Sequence, residues 1–408
     1  MKAKHQQKLK DDLEIITAKS VEEIENIRPI WGEMQSNEPY PLINADIDRY
    51  LSVVKAIKGN VRPHVMLFTR GGRPEAMAIG RIEDRRLKIE FGYKTLLRPM
   101  LRCLTVVHGG LIGRFSKDLN LLLVRELINA LRRHEADMVF LLHLRTDLQL
   151  YQIARSVPGF LCVNHCPVVG LHWQTHLPDT VEEFYSKMSK TRKRNLKRYS
   201  RKLEQAAGGK LEVKCYNREN QLDYFMRVAS AISGLTYKKG LNVAFSDTFE
   251  TRSLLTQAAR AGWWRGYILY AGDEPCAFES GISYERVYFG EHMGYNPRWG
   301  PFSPGTILLT KIFEDLCRNS SINVFDYDTG NAAYKDRFGT KCWSEACVYI
   351  FAPRLYPILT NVLRSSVMGL SLRLEGVLNR FGLLCWIKRR WRNLFEQSAR
   401  KVRTEVRR

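Results

Sequence analysis

The sequence predicts a mixed α/β fold built twice over and followed by a helical appendage. Three observations carry this. A chain of 408 residues is too long for one ordinary core. The same order of elements (helix, antiparallel strands, helix, strand) can be read in each half. The stretch from Pro353 onward then changes character and becomes basic and helix-rich.

Composition narrows the class. Hydrophobic residues make up 45% and aromatics 11%, which is globular rather than disordered. No run approaches the roughly 18 apolar residues of a spanning helix. Residues 1–10 are polar and basic with no apolar core behind them, so a secretory signal is not expected and the cytoplasm is the expected address. The nine cysteines are scattered without a C-x-x-C pair. Cys162-x3-Cys166, with His165 between and His172 and His176 beyond, comes nearest to a metal signature, but it alternates like a strand and has no second pair. Reduced thiols and no metal are expected.

The net charge of +22 is focused. Residues 187–202 hold nine Lys/Arg and no acid, and residues 353–408 hold thirteen against Glu375, Glu396 and Glu405. Such focusing points to a polyanionic partner: acidic lipid, nucleic acid or a phosphorylated substrate.

Taken in order, residues 21–34 have helical spacing, with Ile24, Ile27 and Trp31 on one side. Strands follow at 65–69, 76–82 and 87–91, then a helix at 119–133 and a strand at 138–142. The glycine-rich Val107-His108-Gly109-Gly110-Leu111-Ile112-Gly113 does not have the spacing of a nucleotide-binding loop and reads as a turn. In the second half, helices are expected at 181–206, 219–233 and 249–261, and strands at 267–270, 276–284 and 287–295. A strong helix spans 304–318, a strand follows at 322–327, and residues 346–351 close the domain. Trp263 and Trp264 read as core packing. Residues 355–395 carry apolar side chains at helical intervals, with Trp386-Ile387-Lys388-Arg389-Arg390-Trp391 behind them. Two readings of this tail stand side by side: peripheral adsorption to an anionic membrane through 355–408, or a helix packed back on the protein or a second copy.

The passage Gly294-Tyr295-Asn296-Pro297-Arg298-Trp299-Gly300-Pro301-Phe302-Ser303-Pro304-Gly305-Thr306 leaves a strand and enters the best helix of the chain. Ser303 suits an N-cap, Pro304 the first helical position, and Gly305 leaves the first turn open, so Ser303, Gly305 and Thr306 form a candidate anion site. The next strand ends Phe325-Asp326-Tyr327-Asp328-Thr329-Gly330 and continues to Tyr334-Lys335 and Phe338-Gly339.

These pieces, with the basic run Ser189-Lys190-Thr191-Arg192-Lys193-Arg194-Asn195-Leu196-Lys197-Arg198, resemble the CelD-like acetyltransferases of the GNAT superfamily from about residue 187 to 351. A more distant similarity runs to the Fem-type peptidyltransferases. The resemblance implies tandem GNAT-like domains: a degenerate one at 12–178, the working one at 179–352, and a basic amphipathic tail at 353–408. It also implies acyl-CoA, acetyl-CoA in the first instance, as donor, inserted where two strands splay apart. The amine acceptor would belong to bacterial envelope polysaccharide or surface-polymer synthesis. The superfamily's phosphate loop reads Gln/Arg-x-x-Gly-x-Gly/Ala; laid on Gly300-x-x-Ser303-x-Gly305, only the last glycine is kept.

Acyl transfer to an amine needs a base, an acid near the leaving thiolate, and donors for the carbonyl oxygen. Glu291 is the first candidate base, with Asp326 and Asp328 as alternatives. Tyr334 is the candidate acid. Lys335, Asp328 and His292 are candidate substrate contacts, although a regular strand would turn His292 away from Glu291. Asp326, Tyr334 and Lys335 are expected to converge, part-exposed, on one cleft. Two other functions stay open: an aminoacyl-tRNA-dependent transferase that uses the basic helix as an RNA groove, and a non-catalytic binding protein.

Overall fold

The structure is a computed structural model that describes residues 13–40, 42–57, 61–92, 94–236, 244–318, 321–330 and 332–380. The basic cluster at 386–392 and Cys385 lie outside these described residues. The chain divides into two compact units, one formed by the residues up to Leu171 with Trp343–Val377, the other built around His172–Cys342.

The first unit opens with β1 (Leu13–Ala18), then α1 (Val21–Asn26), α2 (Arg28–Ser36) and α3 (Ile47–Ala56). The strands β2 (Arg62–Arg70) and β3 (Arg73–Arg86) form a hairpin. A separate ribbon follows, β4 (Ile89–Phe91) with β5 (Lys94–Leu97), before β6 (Met100–Gly113), α4 (Lys117–Arg132), β7 (Met138–Arg145) and α5 (Gln149–Ser156). The order β1-β2-β3-β6-β7 is antiparallel except for β6 and β7. Both faces of this sheet are covered, and the strands show it. Val65 and Leu67 pack towards α1–α3, while Met66 and Phe68 pack towards α4 and α5. That two-sided burial is why β2 reads as a continuous apolar run rather than an alternation. Ser20, Asp46 and Ser116 cap α1, α3 and α4 by accepting the amides of Glu23, Arg49 and Leu119.

One reading is corrected here. Residues 107–113 are not a turn but lie inside β6. Ala78 pairs with Leu111 and Gly80 with Val106, so residues 107–110 stand opposite Ile79 alone and bulge out. Gly109 has φ +72°, and a Cβ on Gly110 would lie 2.8 Å from the Ile79 carbonyl oxygen, so the glycines serve the bulge.

The second unit starts in β8 (Val169–His176) and continues with α6 (Val181–Ser186), α7 (Lys190–Ala207), β9 (Leu211–Tyr216), α8 (Leu222–Gly234) and α9 (Phe249–Arg260). The meander β10 (Trp264–Ala271), β11 (Glu274–Tyr284), β12 (Val287–Tyr295) leads to α10 (Pro304–Arg318), β13 (Val324–Thr329) and α11 (Ala333–Phe338). The expected 181–206 helix is two helices, because the Ser189 side chain caps a new start by accepting the Arg192 amide. The sheet order is β8-β13-β12-β11-β10-β9. Trp264 is fully buried, as expected of core, edge-on to Phe225.

The units close by exchange. β8 follows α5 of the first unit yet pairs with β13. β14 (Lys341–Phe351) follows α11 yet pairs with β7 from Glu345↔Arg145 to Phe351↔Met138. Residues 346–351 were expected to close the second half; strand periodicity gives a strand but not its neighbour.

The last described helix, α12 (Leu355–Arg380), is fastened to the first unit by polar groups. Asn361 Nδ2 donates to the carbonyls of Leu161 and Val163, each at 2.9 Å. The buried Arg364 donates to Asn164 Oδ1 and lies over the Tyr349 ring. No described helix is long and apolar enough to cross a membrane.

Asn361→Leu should therefore destabilise the protein by about 1–3 kcal/mol, since a buried and a part-buried carbonyl lose their donor. Leu363→Ala, on the exposed side of the same helix, should cost under about 0.5 kcal/mol. Urea denaturation of the two variants checks the contrast.

Candidate active site of the second unit

The site begins where two strands part. β12 and β13 are the parallel pair of this sheet, and their register covers only Val287↔Val324, Tyr288↔Phe325 and Phe289↔Asp326. From Gly290 onward β12 is paired with β11 alone, while the end of β13 turns to β8, where Thr329 meets His172. A splay opens between them, on the side from which β12 runs on to the start of α10.

β12 bulges at this point. Ser280 pairs with His292 and Gly281 with Gly290, which leaves Glu291 as the extra residue. A bulge reverses strand parity and re-aims side chains. Glu291 and His292 are accordingly both exposed, where a regular strand would separate them; the His292 ring also stands edge-on to Phe245 at 5.2 Å.

Two buried ionic groups hold the end of β13. The Asp326 carboxylate accepts from His172 Nε2 at 2.8 and 2.9 Å, from Gln174 Nε2 at 2.8 Å, and from the Asp328 amide at 2.7 Å. Burial alone would raise its pKa, but the bonds from His172 and Gln174 outweigh that and hold it below the usual carboxylate value. The Lys335 ammonium donates to the carbonyls of Tyr327, Asp328 and Thr329 at 2.7, 3.1 and 2.9 Å. Asp326 and Lys335 thus grip the peptide groups of Asp328 from both ends. This fixes Asp328 in the left-handed region, φ +58°, with its own carboxylate exposed. Both gripping side chains are buried rather than part-exposed, because a strand end with unpaired carbonyls needs donors. Tyr334, in the first turn of α11, is half-buried, with its ring 6.0 Å from that of Tyr327.

The start of α10 differs in detail from a side-chain cap. Ser303 is itself left-handed, φ +55°, and its carbonyl accepts the amides of Thr306 and Ile307. Pro304 has no amide hydrogen, so the Gly305 amide is the donor left at the helix mouth. A Cβ on Gly305 would meet only Tyr295, at 3.7 Å. Ser303, Gly305 and Thr306 are all partly exposed there. α7 packs its Leu196, Tyr199 and Leu203 into the core under α10. Its first turn reaches α11, where Arg192 lies over the Phe338 ring and donates to the Arg337 carbonyl.

One acid escaped the sequence reading. Glu279, on β11, is fully buried and accepts from the Tyr288 hydroxyl, and burial pushes its carboxyl well up. Gly290 makes room for it: a Cβ there would lie 3.1 Å from Glu279 Oε1 and 2.9 Å from the Phe325 ring. An acid inside the apolar run Cys276-Ala277-Phe278-Glu279 was the available signal. His172 and Gln174 carried none, since their role depends on which strand β8 joins.

Comparison with known proteins places this geometry. Residues 189–336 match the family described as acetyltransferase (GNAT) domain, a span from the Ser189 cap through Lys335. Among solved structures the chain is similar to FemX, with a TM-score of 0.54 at 9% identity over 82% of this chain and 98% of that one. It is also similar to a tandem GNAT protein from the clavulanic acid biosynthesis pathway, with a TM-score of 0.46 at 11% identity over 84% and 99%. No curated protein sequence matches. At such identities the FemX likeness is one of fold. Residues 189–336 of the second unit thus match a GNAT acetyltransferase domain, and the chain shares a mixed α/β fold with FemX.

Lys335→Met should destabilise the second unit by about 3 kcal/mol, leaving three carbonyls without their charged donor. Asp326 gives a pH signature. Its folded pKa is depressed, so its stabilisation is present above the unfolded value near ~4 and is lost as pH falls through the folded one. Chemical denaturation from pH 7 to 2.5 should show Asp326→Asn less stable at neutral pH, with the gap to the parent protein closing in acid.

Proposed function

We propose that the chain is an N-acyltransferase that moves an acyl group, acetyl in the first instance, from acyl-CoA to an amine acceptor. The carrying observation is the splay itself: past Phe289 the backbone of β12 has no strand partner on the β13 side among the described residues. An open strand edge leading to a helix mouth suits a donor made of an amide-bearing arm and a pyrophosphate. Ser303, Gly305 and Thr306 would hold the anionic part, with the Gly305 amide as donor.

Acyl-CoA supplies the acyl group as an activated thioester, and the residues around the splay do the rest. Glu291 takes the proton released by the acceptor ammonium, which frees the nitrogen lone pair to form the new C–N bond. As the C–S bond breaks, Tyr334 gives its hydroxyl proton to the leaving thiolate and is reprotonated by the second proton that the nitrogen sheds on becoming an amide. Asp326 is the poorer base, because a carboxylate already holding donors from His172, Gln174 and the Asp328 amide has little affinity left for a proton. It and Lys335 are positioning residues that hold Asp328, whose exposed carboxylate, with His292, faces the acceptor. The acceptor class we favour is an amine-bearing precursor of bacterial envelope polysaccharide or another surface polymer, by the motif similarity to CelD-like enzymes.

One observation favours a second donor, aminoacyl-tRNA. Lys190, Arg194, Lys197, Arg198, Arg201 and Lys202 of α7 are all exposed.

Titration calorimetry with a panel of acyl-CoAs should show one site per chain, weakened at least about tenfold by Gly305→Val. Glu291→Gln should keep donor affinity and lower turnover by about 10²-fold or more. If no acyl-CoA binds, while charged tRNA is retained at low salt and released as salt rises, the donor is tRNA.

A further inference from the structure

α12 is built inside out. The side chains it buries against the first unit are Pro357, Thr360, Asn361 and Arg364, three of them polar. Those it turns to solvent include Leu355, 76% exposed, Leu359, 56%, and Leu370, 61%. Single exposed leucines mean little, but a helix that is apolar on its outward side has that side covered by something.

The apolar surface does not stop at the helix. Tyr356 donates to the Met100 carbonyl, and Ser371 Oγ accepts the Gly92 amide, so the β4–β5 ribbon lies along one flank. Leu96 and Leu97, at the end of β5 away from its turn, are exposed. Asn361 holds the Leu161 and Val163 carbonyls and Cys166 Sγ bonds the Ser365 carbonyl, so residues 160–168 lie along the other flank. Phe160, 76% exposed, and Val168, 64%, stand out from it. Three segments of one unit therefore present bulky apolar tips side by side.

We propose that the outward side of α12, the leucines at the end of β5 and the 160–168 segment form one docking surface for an anionic lipid bilayer.

Charge selects this occupant. Lys94 and Arg98 on the ribbon, and Arg373 and Arg380 on the helix, are exposed around the apolar tips, against Glu90 and Glu375. Beyond Arg380 the sequence adds nine Lys/Arg and two Glu. A second copy would bring the same excess of positive charge to the contact and be repelled, whereas an anionic bilayer attracts it. The apolar side chains project as separate tips, which suits insertion among lipid headgroups. Since no described helix can cross, the surface lies on the bilayer. The polar anchors set its orientation: Asn361 and Arg364 hold α12 so that its leucines face away from the unit. The whole unit is the membrane-binding element, not a loose tail.

The test is vesicle flotation of the full chain. It should float with vesicles of phosphatidylcholine containing about 30 mol % phosphatidylglycerol, come off as salt is raised, and not float with phosphatidylcholine alone. Phe160→Asp with Leu359→Asp touches exposed positions only, so the melting curve and acyl-CoA affinity should stay unchanged while the floated fraction falls about tenfold or more. Absence of flotation by the parent chain overturns the proposal, as does undiminished flotation of the double variant. Gel filtration showing a parent dimer that the double variant splits would assign the surface to a second copy instead.

Discussion

The arrangement of the second unit depends on how the end of β13 is held. A parallel strand pair that stops after Phe289↔Asp326 leaves unpaired carbonyls on β13 and an open edge on β12. A strand end with unpaired carbonyls needs donors, and Lys335 supplies them from inside the fold while Asp326 accepts the Asp328 amide. Burying an isolated charge costs several kcal/mol, so each is tolerable only when its hydrogen-bonding capacity is filled. Asp326 fills its own with two side chains of β8 and one backbone amide, and Lys335 uses all three of its protons on backbone carbonyls. The Asp328 end of β13 is thus held by two saturated ionic clamps, and of the groups proposed for chemistry Glu291 is exposed on β12 and Tyr334 half-buried on α11.

The strand exchange gives this clamp its second half. His172 and Gln174 belong to β8, which the chain delivers straight after α5 of the first unit. The partner of Asp326 is therefore more than 150 positions away in sequence. Such non-local pairing is slow to form, but it places a buried histidine and glutamine against an acid that no local segment could have satisfied.

How much of this was legible follows from the range of each interaction. The meander, the Ser303-Pro304-Gly305 helix start and the helical character of α12 are local patterns, and they stand close to where periodicity put them. The bulge at Glu291 was not legible, because a bulge is a mismatch between two strands and neither sequence alone contains it. For the same reason residues 107–113 read as a turn, although their glycines relieve a bulge opposite Ile79. Asp326 and Lys335 were found through the resemblance of their motif to a known family, yet their burial was not, since it comes from β8 and from carbonyls of a strand end. The inward polar and outward apolar sides of α12 could not be told apart from periodicity, which gives a stripe but not the direction in which it faces.

The central claim is that the gap between β12 and β13, running to the mouth of α10, receives the acyl donor. Amide hydrogen exchange on the full chain with and without acetyl-CoA tests it most directly. The account predicts new protection concentrated at residues 290–295 and 305–307, with the sheet around β9 and β10 unchanged. Saturating acetyl-CoA that leaves those two segments unprotected, or protects a different part of the chain, would contradict it.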